Sequence, residues 1–372
     1  MRIGCPGEIK DNENRVGLTP NAARAYVAAG HEVFIQQGAG LGSGIEDEDY
    51  TAVGVTILPT AAEVWATADM IVKVKEPLAE EYAFMREGQI LYTYFHFAAN
   101  EPLVKGCLDR KIIAVAYETV EEKHGLPLLK PMSEVAGRMA FLMGAFYLAR
   151  TQGGRGLLPM GVTGVAPAEV LVVGGGVVGT NAAQVAAGMG ARVTVLDMNL
   201  NRLEYLGQVL PANVTPLYSD HVNLESCLRV ADIVIGAVLI PGAVTPRLIR
   251  REHLKLMKTG SVLVDVAIDQ GGCCESSRTT TLSDPTYVEE GVIHYCVGNM
   301  PGAYARTSSF ALNNATIRYG LLLAEKGAEQ ACRENGALKR GMNMYKGAIT
   351  FKAVAEAFDM LDVYTPVDAV LA

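Results

Sequence analysis

The chain has 372 residues, 50% of them hydrophobic, which is long enough for two packed domains. Its formal net charge is −8, and its lysines and arginines are scattered, which argues against a nucleic-acid-binding surface. The seven cysteines form no CxxC pair, and no apolar run is uninterrupted enough to span a bilayer. These features favour a cytoplasmic protein with reduced thiols and argue against a disulfide framework, a bound metal and membrane insertion.

Short apolar runs alternate with helical patterns over the first third of the chain. The stretch 20–30 has the features of a helix, because Thr19 can cap its start and Gly30 can end it. Near-continuous apolar strands separated by helices indicate a parallel sheet that is covered on both faces. The predicted strands of this part are 32–37, 55–58, 70–75, 89–94 and 112–117.

A glycine-rich turn stands near the start of the middle third. Residues 169–197 combine an apolar strand, the turn, a helix of small residues and a second strand. A helical stretch is predicted at 246–258. Further strands are predicted at 232–238, 261–267 and 292–297.

Two long helical segments, 132–150 and 307–326, flank this block, and each would be about 30 Å long at ~1.5 Å per residue. Such a pair could carry the chain out of one domain and back into it. We therefore predict an α/β fold of two doubly wound, Rossmann-like domains, one inserted into the other and joined to it by long helices. The predicted parts are 1–131 and 303–372 for the discontinuous domain and 132–302 for the inserted domain.

The glycine-rich turn has the spacing of a dinucleotide-binding motif. Gly174 permits a tight turn, Gly176 lets the backbone approach a pyrophosphate, and Gly179 lets the helix pack on the sheet. The start of the helix, at Val177 and Val178, offers N–H groups and a positive dipole end to phosphates. A glycine-rich turn without a ligand is the alternative, but it leaves the acid at the end of the next strand unexplained.

That acid is Asp197, which lies 23 residues after Gly174. A carboxylate there can bind the adenosine ribose hydroxyls and would repel a 2′-phosphate, so NAD is favoured over NADP. The nearby Arg202 argues in the other direction, because a guanidinium could accept a phosphate.

A second cluster, "DVAIDQGG" at 265–272, ends a predicted strand with two carboxylates and a glycine turn. Ligands bind beyond the carboxyl ends of the strands in a doubly wound sheet, so Asp269 is a candidate to face the nicotinamide. A capping or turn role is the alternative for Asp269, and the earlier Asp265 is interpreted as structural.

Three polar residues of the first domain could form a substrate site. Arg15 lies in a loop before a helix, while Lys75 and His96 follow the ends of predicted strands. An arginine fork and a lysine can hold a carboxylate, and an imidazole can carry a proton near neutral pH. Taken singly, each residue also fits a solvated charge or a packed core histidine, and periodicity alone does not bring the three together.

Taken together, these residues and their neighbours resemble the alanine dehydrogenase and pyridine nucleotide transhydrogenase family over nearly the whole chain. The resemblance implies reversible, NAD-dependent oxidative deamination of L-alanine to pyruvate and ammonium by a homo-hexamer. It assigns substrate binding to Arg15 and Lys75, and catalysis to His96 and Asp269. The motifs that carry it are "GEIKDNENRVGLTP", "VKVKEP", "LPLLKPMSEVAGR", "QGGRG", "LVVGGGVVGTNAA", "IGAVLIPG", "VDVAIDQGG" and "NMPGA".

The resemblance also implies a set of cofactor contacts spread over the inserted domain. These are Ser133, Gly174, Gly176, Val177, Val178, Gly179, Asp197, Arg202, Ser219, Val238, Leu239, Val266, Ala267, Ile268, Asp269, Arg278, Val297, Gly298, Asn299 and Met300.

The chain departs from the family pattern at a few positions. Gly298 stands where the family commonly has proline, and the phenylalanines Phe95 and Phe97 flank His96 where leucines are usual. The phenylalanines could be packing residues, or they could trim the pocket of the amino acid. Two other functions remain open: a related opine- or saccharopine-type dehydrogenase, and a non-catalytic NAD-binding module like the soluble part of a transhydrogenase.

Overall fold

The structure, a computed structural model, describes the chain except for residue 124 and residues 239–244. The chain divides into two compact units. The first unit is Met1–Met132 together with Gly302–Ala372, and the second is Ser133–Pro301. The second unit therefore interrupts the first along the chain, and its ends lie one residue from the domain boundaries predicted from the sequence.

The strands of the described residues are short, as expected for parallel sheets covered on both faces. In chain order they are β1 (Arg2–Cys5), β2 (Glu32–Gln36), β3 (Thr56–Leu58), β4 (Met70–Val72), β5 (Ile90–Thr93), β6 (Ile113–Ala116), β7 (Glu169–Val173), β8 (Arg192–Asp197), β9 (Val214–Tyr218), β10 (Ile233–Gly236), β11 (Val262–Asp265), β12 (Thr286–Glu289), β13 (Val292–Tyr295), β14 (Met342–Tyr345) and β15 (Ala348–Ile349).

Helices connect most of these strands. In chain order they are α1 (Pro20–Ala28), α2 (Asp47–Thr51), α3 (Ala61–Thr67), α4 (Glu101–Asp109), α5 (Lys130–Tyr147), α6 (Val177–Gly188), α7 (Leu200–Val209), α8 (His221–Val230), α9 (Arg251–Leu254), α10 (Ala305–Glu334), α11 (Gly336–Gly341), α12 (Lys352–Ala357) and α13 (Val367–Val370). Short 3-10 turns follow several strand ends, including Phe97–Ala99 and Tyr117–Thr119.

The first unit is built on a sheet in the order β15-β14-β6-β5-β4-β1-β2-β3. The six strands from β6 to β3 are parallel, and β14 and β15 extend the β6 edge in antiparallel pairings. Side chains alternate between the faces, so Ile90 and Tyr92 of β5 enter one core while Leu91 enters the other. Both faces are therefore buried, as predicted.

The second unit holds a sheet in the order β12-β13-β11-β10-β7-β8-β9, in which β12 alone of these strands is antiparallel to its neighbour. The chain begins in the middle at β7, moves outward to β9, and then crosses back to β10. That reversal places a crevice beyond the carboxyl ends of β7 and β10, where α/β sheets of this type bind ligands. Apolar cores cover both faces of this sheet.

Two sequence predictions need correction. The helix expected at 246–258 is reduced to α9, because Ile249 forms a parallel bridge with Cys274 and the chain there follows the edge of the core instead of coiling. The strand expected at 70–75 ends at Val72, three residues before Lys75. The chain after Val72 leaves the sheet, and this brings Lys73 and Lys75 to the sheet edge.

His294 is a buried histidine of the second unit. Its Nδ1 donates to the carbonyl of Val292 at 3.0 Å, and its Nε2 accepts from the hydroxyl of Ser276 at 2.7 Å. Burial lowers the pKa of His294 below its ordinary value near 6.5. The unfolded chain therefore binds a proton on His294 more readily than the folded protein does. The stability that His294 contributes is fully present above about pH 6.5 and is lost as the pH falls below it.

We predict that His294→Gln reduces this acid-dependent loss of stability, although it lowers stability at pH 8 because the packing changes. The measurement is the free energy of unfolding in urea at intervals between pH 8 and pH 5. The exposed His221→Gln is the matched control, and it should keep the wild-type pH dependence. An unchanged slope in His294→Gln would remove His294 as the acid-sensitive group.

Candidate active site

The candidate substrate residues leave one edge of the first sheet. Lys75 follows β4 by three residues and His96 follows β5 by three residues, and these neighbouring strands are parallel with Val72 opposite Tyr92. The loop of Arg15 passes the same edge, since a Cβ on Gly17 would lie 2.6 Å from the carbonyl oxygen of Val72. Because parallel strands end together at one edge, the three segments converge there.

Arg15 is buried and paired with a carboxylate. Its exposed fraction is 2%, and its Nε and Nη2 donate to the two carboxylate oxygens of Glu13 at 2.7 and 2.5 Å. Its Nη1 faces the sulfur of Met132 at 3.1 Å. Burial lowers the pKa of Arg15, but the hydrogen bonds and charge of Glu13 outweigh it and raise that pKa. The guanidinium is therefore a fixed cation with a defined orientation.

Two lysines follow β4, and they have different environments. Lys73 is buried between two acids, 2.7 Å from the carboxylate of Glu81 and 3.5 Å from that of Glu8. Glu8 also accepts from the backbone N–H of Val74 at 2.6 Å and of Lys75 at 3.3 Å. Burial raises the pKa of Glu8, and the charge of Lys73 opposes that rise. Lys73 is therefore structural, and Glu8 fixes the backbone from which Lys75 extends.

His96 is exposed, although its neighbours in sequence are buried. Phe95 and Phe97 are 0% and 2% exposed and stack on each other in the core, with ring centroids 4.4 Å apart. The imidazole lies on the opposite side, stacked on the ring of Tyr94 with centroids 5.9 Å apart. The phenylalanines are therefore packing residues, which answers the question raised by their position.

Tyr94 connects the three candidate residues. Its backbone N–H donates to the carbonyl of Val74 at 3.3 Å, next to Lys75. Burial raises the pKa of Tyr94, and the charge of Arg15 opposes that rise, so the guanidinium lies close to the phenol. With His96 stacked on its ring, Tyr94 therefore adjoins all three segments.

The second unit contains the glycine turn at the crevice between β7 and β10. Gly174 has φ 103°, and a Cβ on Gly179 would lie 1.8 Å from the carbonyl oxygen of Gly174. A Cβ on Gly176 would meet nothing within 4 Å, so its backbone borders open space at the start of α6. These three glycines occupy the positions that a pyrophosphate-binding turn requires, and the turn fits a dinucleotide.

Asp197 and Arg202 hold the peptide groups of this turn. Asp197 ends β8 and accepts from the N–H of Gly175 at 2.8 Å. Arg202 donates from Nε to the carbonyl of Gly175 and from Nη2 to the hydroxyl of Thr180, both at 2.5 Å. Because the guanidinium already binds the turn, a 2′-phosphate would have to compete for it, and this arrangement favours NAD over NADP.

The other predicted contacts follow the ends of the remaining parallel strands. Asp269 is exposed, and its Oδ1 accepts from the N–H of Asn299, at 3.2 Å. Asp265 is buried and accepts from the N–H of Cys273 at 2.9 Å and from the hydroxyl of Ser277 at 2.6 Å, which fits its structural interpretation. Near these strand ends lie Val238 after β10, Val266, Ala267 and Ile268 after β11, and Val297, Gly298 and Met300 after β13.

A few predicted contacts stand in other places. The N–H of Ser219 donates to the carbonyl of Asp197 at 3.0 Å, which sets it beside Asp197 at the end of β8. Arg278 lies over the ring of Tyr287, 4.1 Å from its centroid, on the β12 side of the sheet. Ser133 is half-buried on α5. Leu239 falls outside the described residues.

Sequence reasoning missed the carboxylates that hold the candidate substrate residues. Glu8 and Glu13 lie in the same loop motif as Arg15, and Glu118 follows β6. An available signal was the excess of acids in "GEIKDNENR" beside Arg15, since a buried cation requires a partner. Within the described part of the chain, no cluster of His, Cys, Asp and Glu has a metal-binding arrangement, and no helix is long and apolar enough to cross a membrane.

Comparison with known proteins identifies the family. The family models described as the alanine dehydrogenase/PNT N-terminal and C-terminal domains match residues 4–136 and 140–352. The chain belongs to the alanine dehydrogenase/PNT family. An alanine dehydrogenase of Methanococcus maripaludis is 54% identical over 373 residues and covers 100% of both chains. Alanine dehydrogenase 2 of Staphylococcus aureus is 51% identical over 97% of each chain.

Solved structures of the alanine dehydrogenase/PNT family superpose on most of the chain. An L-alanine dehydrogenase has a TM-score of 0.94 at 46% identity, covering 97% of this chain and 100% of that one. A transhydrogenase from Sinorhizobium meliloti has a TM-score of 0.82 at 25% identity, covering 94% of this chain and 100% of that one. The predicted family, the two-domain α/β fold, the oxidoreductase class and NAD as cofactor are confirmed by this membership.

The close contact at Gly179 predicts a test of the dinucleotide turn. Gly179→Ala should weaken NADH binding at least ten-fold, because its methyl group would displace the carbonyl of Gly174 and distort the turn. Gly188→Ala, in the same helix and with open space around its Cβ, is the matched control and should bind normally. The measurement is NADH fluorescence titration, and equal affinities for both variants would contradict the assigned role of Gly179.

Proposed function

We propose that this protein is an NAD-dependent alanine dehydrogenase that converts L-alanine reversibly to pyruvate and ammonium. The observation that carries the proposal is the convergence of a buried guanidinium, a lysine and an exposed imidazole at one edge of the first sheet. The two cations suit a small substrate with a carboxylate, and the imidazole suits a reaction in which protons are transferred. Its relatives with the highest quoted identities, at 54% and 51%, are named alanine dehydrogenases.

The first unit is proposed to bind the amino acid. Arg15 and Lys75 hold its carboxylate and thereby set the direction of the Cα–H bond. Holding both reactants in register lowers the activation barrier by up to ~7–11 kcal/mol. Arg15 is suited to this because Glu13 fixes its guanidinium before the substrate arrives, so little conformational entropy is lost on binding.

His96 is proposed as the general acid and base. Loss of hydride from Cα leaves an iminium, water adds to that carbon, and the carbinolamine then releases ammonia. A proton must leave the attacking water, and another must reach the departing amine. One imidazole can take the first and supply the second, a contribution of typically ~10²–10⁴-fold.

The second unit is proposed to hold NAD. The turn at Gly174, Gly176 and Gly179 with the N–H groups of Val177 and Val178 would bind the pyrophosphate. Asp197, with Ser219 nearby, would bind the adenosine ribose. When bound, NAD supplies the hydride acceptor for the reaction. Asp269, beyond β11, is proposed to order water or substrate and to stabilise positive charge at the reacting nitrogen.

The remaining predicted contacts complete the proposed cofactor site. They are Ser133, Arg202, Val238, Leu239, Val266, Ala267, Ile268, Arg278, Val297, Gly298, Asn299 and Met300.

We further propose a cytoplasmic homo-hexamer. The seven cysteines are all unpaired, which supports a reducing compartment. The hexamer is implied by family membership, and light scattering of the purified protein would measure the assembled mass. A monomeric mass at micromolar concentration would contradict it.

The substrate is tested by NAD reduction across small L-amino acids, with NADP as a parallel cofactor. We expect the highest kcat/KM with L-alanine and NAD, and the reverse reaction with pyruvate, ammonium and NADH. A preference for an amino acid condensed with a 2-oxo acid would favour an opine- or saccharopine-type dehydrogenase. NADH binding without turnover on any amino acid would favour a transhydrogenase-like module.

The proton-carrier role predicts that His96→Ala lowers kcat by about 10²–10⁴-fold, because the group that exchanges both protons is lost. NADH affinity, measured by fluorescence, should stay within about two-fold. His31→Ala, at a half-buried histidine of the same unit, is the matched control and should retain wild-type kcat. Near-normal turnover by His96→Ala would contradict the assignment.

A further inference from the structure

The backbone at His96 adopts a conformation that residues with a Cβ seldom take. Its φ is 52° and its ψ is 39°, in the left-handed region. Such a conformation persists where the surroundings hold it in place, and it is found most often at functional sites. The contacts around this residue therefore bear on how the imidazole is presented.

One carboxylate binds the peptide groups on both sides of Phe95. Glu118 Oε1 accepts from the N–H of His96 at 2.6 Å and from that of Phe95 at 3.1 Å, and its Oε2 lies 3.3 Å from the Phe95 nitrogen. Thr93 is the last residue of β5 that pairs with β6, so β6 no longer supplies acceptors at these positions. A charged acceptor forms strong hydrogen bonds with backbone N–H groups.

The position of Glu118 follows from strand register. Thr93 of β5 lies opposite Ala116 of β6, and the chain then enters the 3-10 turn Tyr117–Thr119. The turn brings the side chain of Glu118 back toward the segment that follows β5. Its carboxylate therefore takes the place of a strand partner for the residues that follow β5, although Glu118 lies outside the sheet.

Aromatic packing fixes the direction of the side chains on either side of His96. Phe95 and Phe97 are both buried in the same core, so the residue between them faces the other way. The imidazole stacks on Tyr94 with an interplanar angle of 12°, and the hydroxyl of Tyr94 donates to the carbonyl of Leu128 at 2.5 Å. The rings anchor both sides of His96, and the backbone conformation between them sets where the imidazole points.

We propose that Glu118 is a positioning residue for His96: its carboxylate holds the left-handed backbone that presents the imidazole for proton transfer. This inference rests on the proposed function, since it assigns to Glu118 a role in the proton steps of that reaction. A displacement of about 1 Å at a reacting group can cost on the order of 10² in rate. Glu118 acts through the backbone of His96, and hydrogen-bond acceptance is the property that matters.

Two variants with side chains of nearly equal size separate the hydrogen-bond acceptance of Glu118 from its negative charge. Glu118→Gln keeps a carbonyl oxygen that can accept the His96 N–H, whereas Glu118→Met keeps the length and removes the acceptor. We expect kcat for alanine oxidation within about three-fold of wild type for Gln, and about 10–100-fold lower for Met. KM for alanine and the NADH dissociation constant should change by less than about three-fold in both.

Glu101 provides the matched control. It is an exposed glutamate of α4 whose carboxylate pairs with Lys105, and Glu101→Gln and Glu101→Met should both retain wild-type kcat. Equal losses in the two Glu118 variants would overturn the proposal, because the charge and not the acceptor would then matter. Wild-type kcat in Glu118→Met would overturn it as well. If Glu118→Met does not fold, a loss above about ten-fold in Glu118→Gln overturns the proposal and near-wild-type kcat supports it.

Crystal structures of the variants give a readout that does not depend on turnover. We expect His96 to keep its positive φ and its stacking on Tyr94 in Glu118→Gln, and to lose one or both in Glu118→Met. An unchanged His96 in Glu118→Met would overturn the proposal. Absence of alanine turnover in the wild-type protein would instead refute the proposed function, and the structural comparison would still decide whether Glu118 holds His96.

Discussion

Pairing of buried cations with buried carboxylates is the interaction on which the candidate substrate site depends. Arg15 and Lys73 are 2% and 1% exposed, and ions this far from water are stable only when an opposite charge and hydrogen bonds replace their hydration. Glu13 provides this for Arg15, while Glu8 and Glu81 provide it for Lys73. Removing one member of such a pair typically costs about 3–5 kcal/mol, because the remaining charge stays buried and unpaired.

Two of these carboxylates, together with that of Glu118, also bind backbone N–H groups. Glu8 accepts from the N–H of Lys75, Glu13 from that of Arg15, and Glu118 from that of His96. Each candidate substrate residue therefore has its main chain fixed by an acid from another position. In the second unit, Asp197 and Arg202 hold the N–H and the carbonyl of Gly175 in a comparable way. Both units thus fix loops at strand ends by charged side chains bound to peptide groups.

Much of the fold follows from short-range patterns in the sequence. Apolar runs separated by helical periods predicted β2, β3, β5 and β6, and the glycine spacing with Asp197 predicted the turn before α6. These predictions succeed because each depends on residues close together in the chain. The helix expected at 246–258 was wrong because the apolar positions there serve contacts such as the bridge from Ile249 to Cys274, which a local pattern does not contain.

The candidate site was less predictable, because its contacts join distant parts of the chain. Nothing in the sequence near His96 indicates that a glutamate 22 residues later binds its peptide group. That contact depends on the register between β5 and β6, which the sequence pattern leaves undetermined. The same holds for the loop of Arg15, whose approach to β4 requires Gly17 to lie against the carbonyl of Val72.

The phenylalanines around His96 show how packing and chemistry are combined in one short segment. Their sequence position allowed two interpretations, a trimmed substrate pocket or a packed core, and burial of both rings decides for the core. The imidazole between them stacks on Tyr94 and does not enter that core, so packing of the two rings defines the side on which it lies. Burial of the two rings therefore leaves the imidazole, stacked on Tyr94, as the part of this segment that solvent can reach.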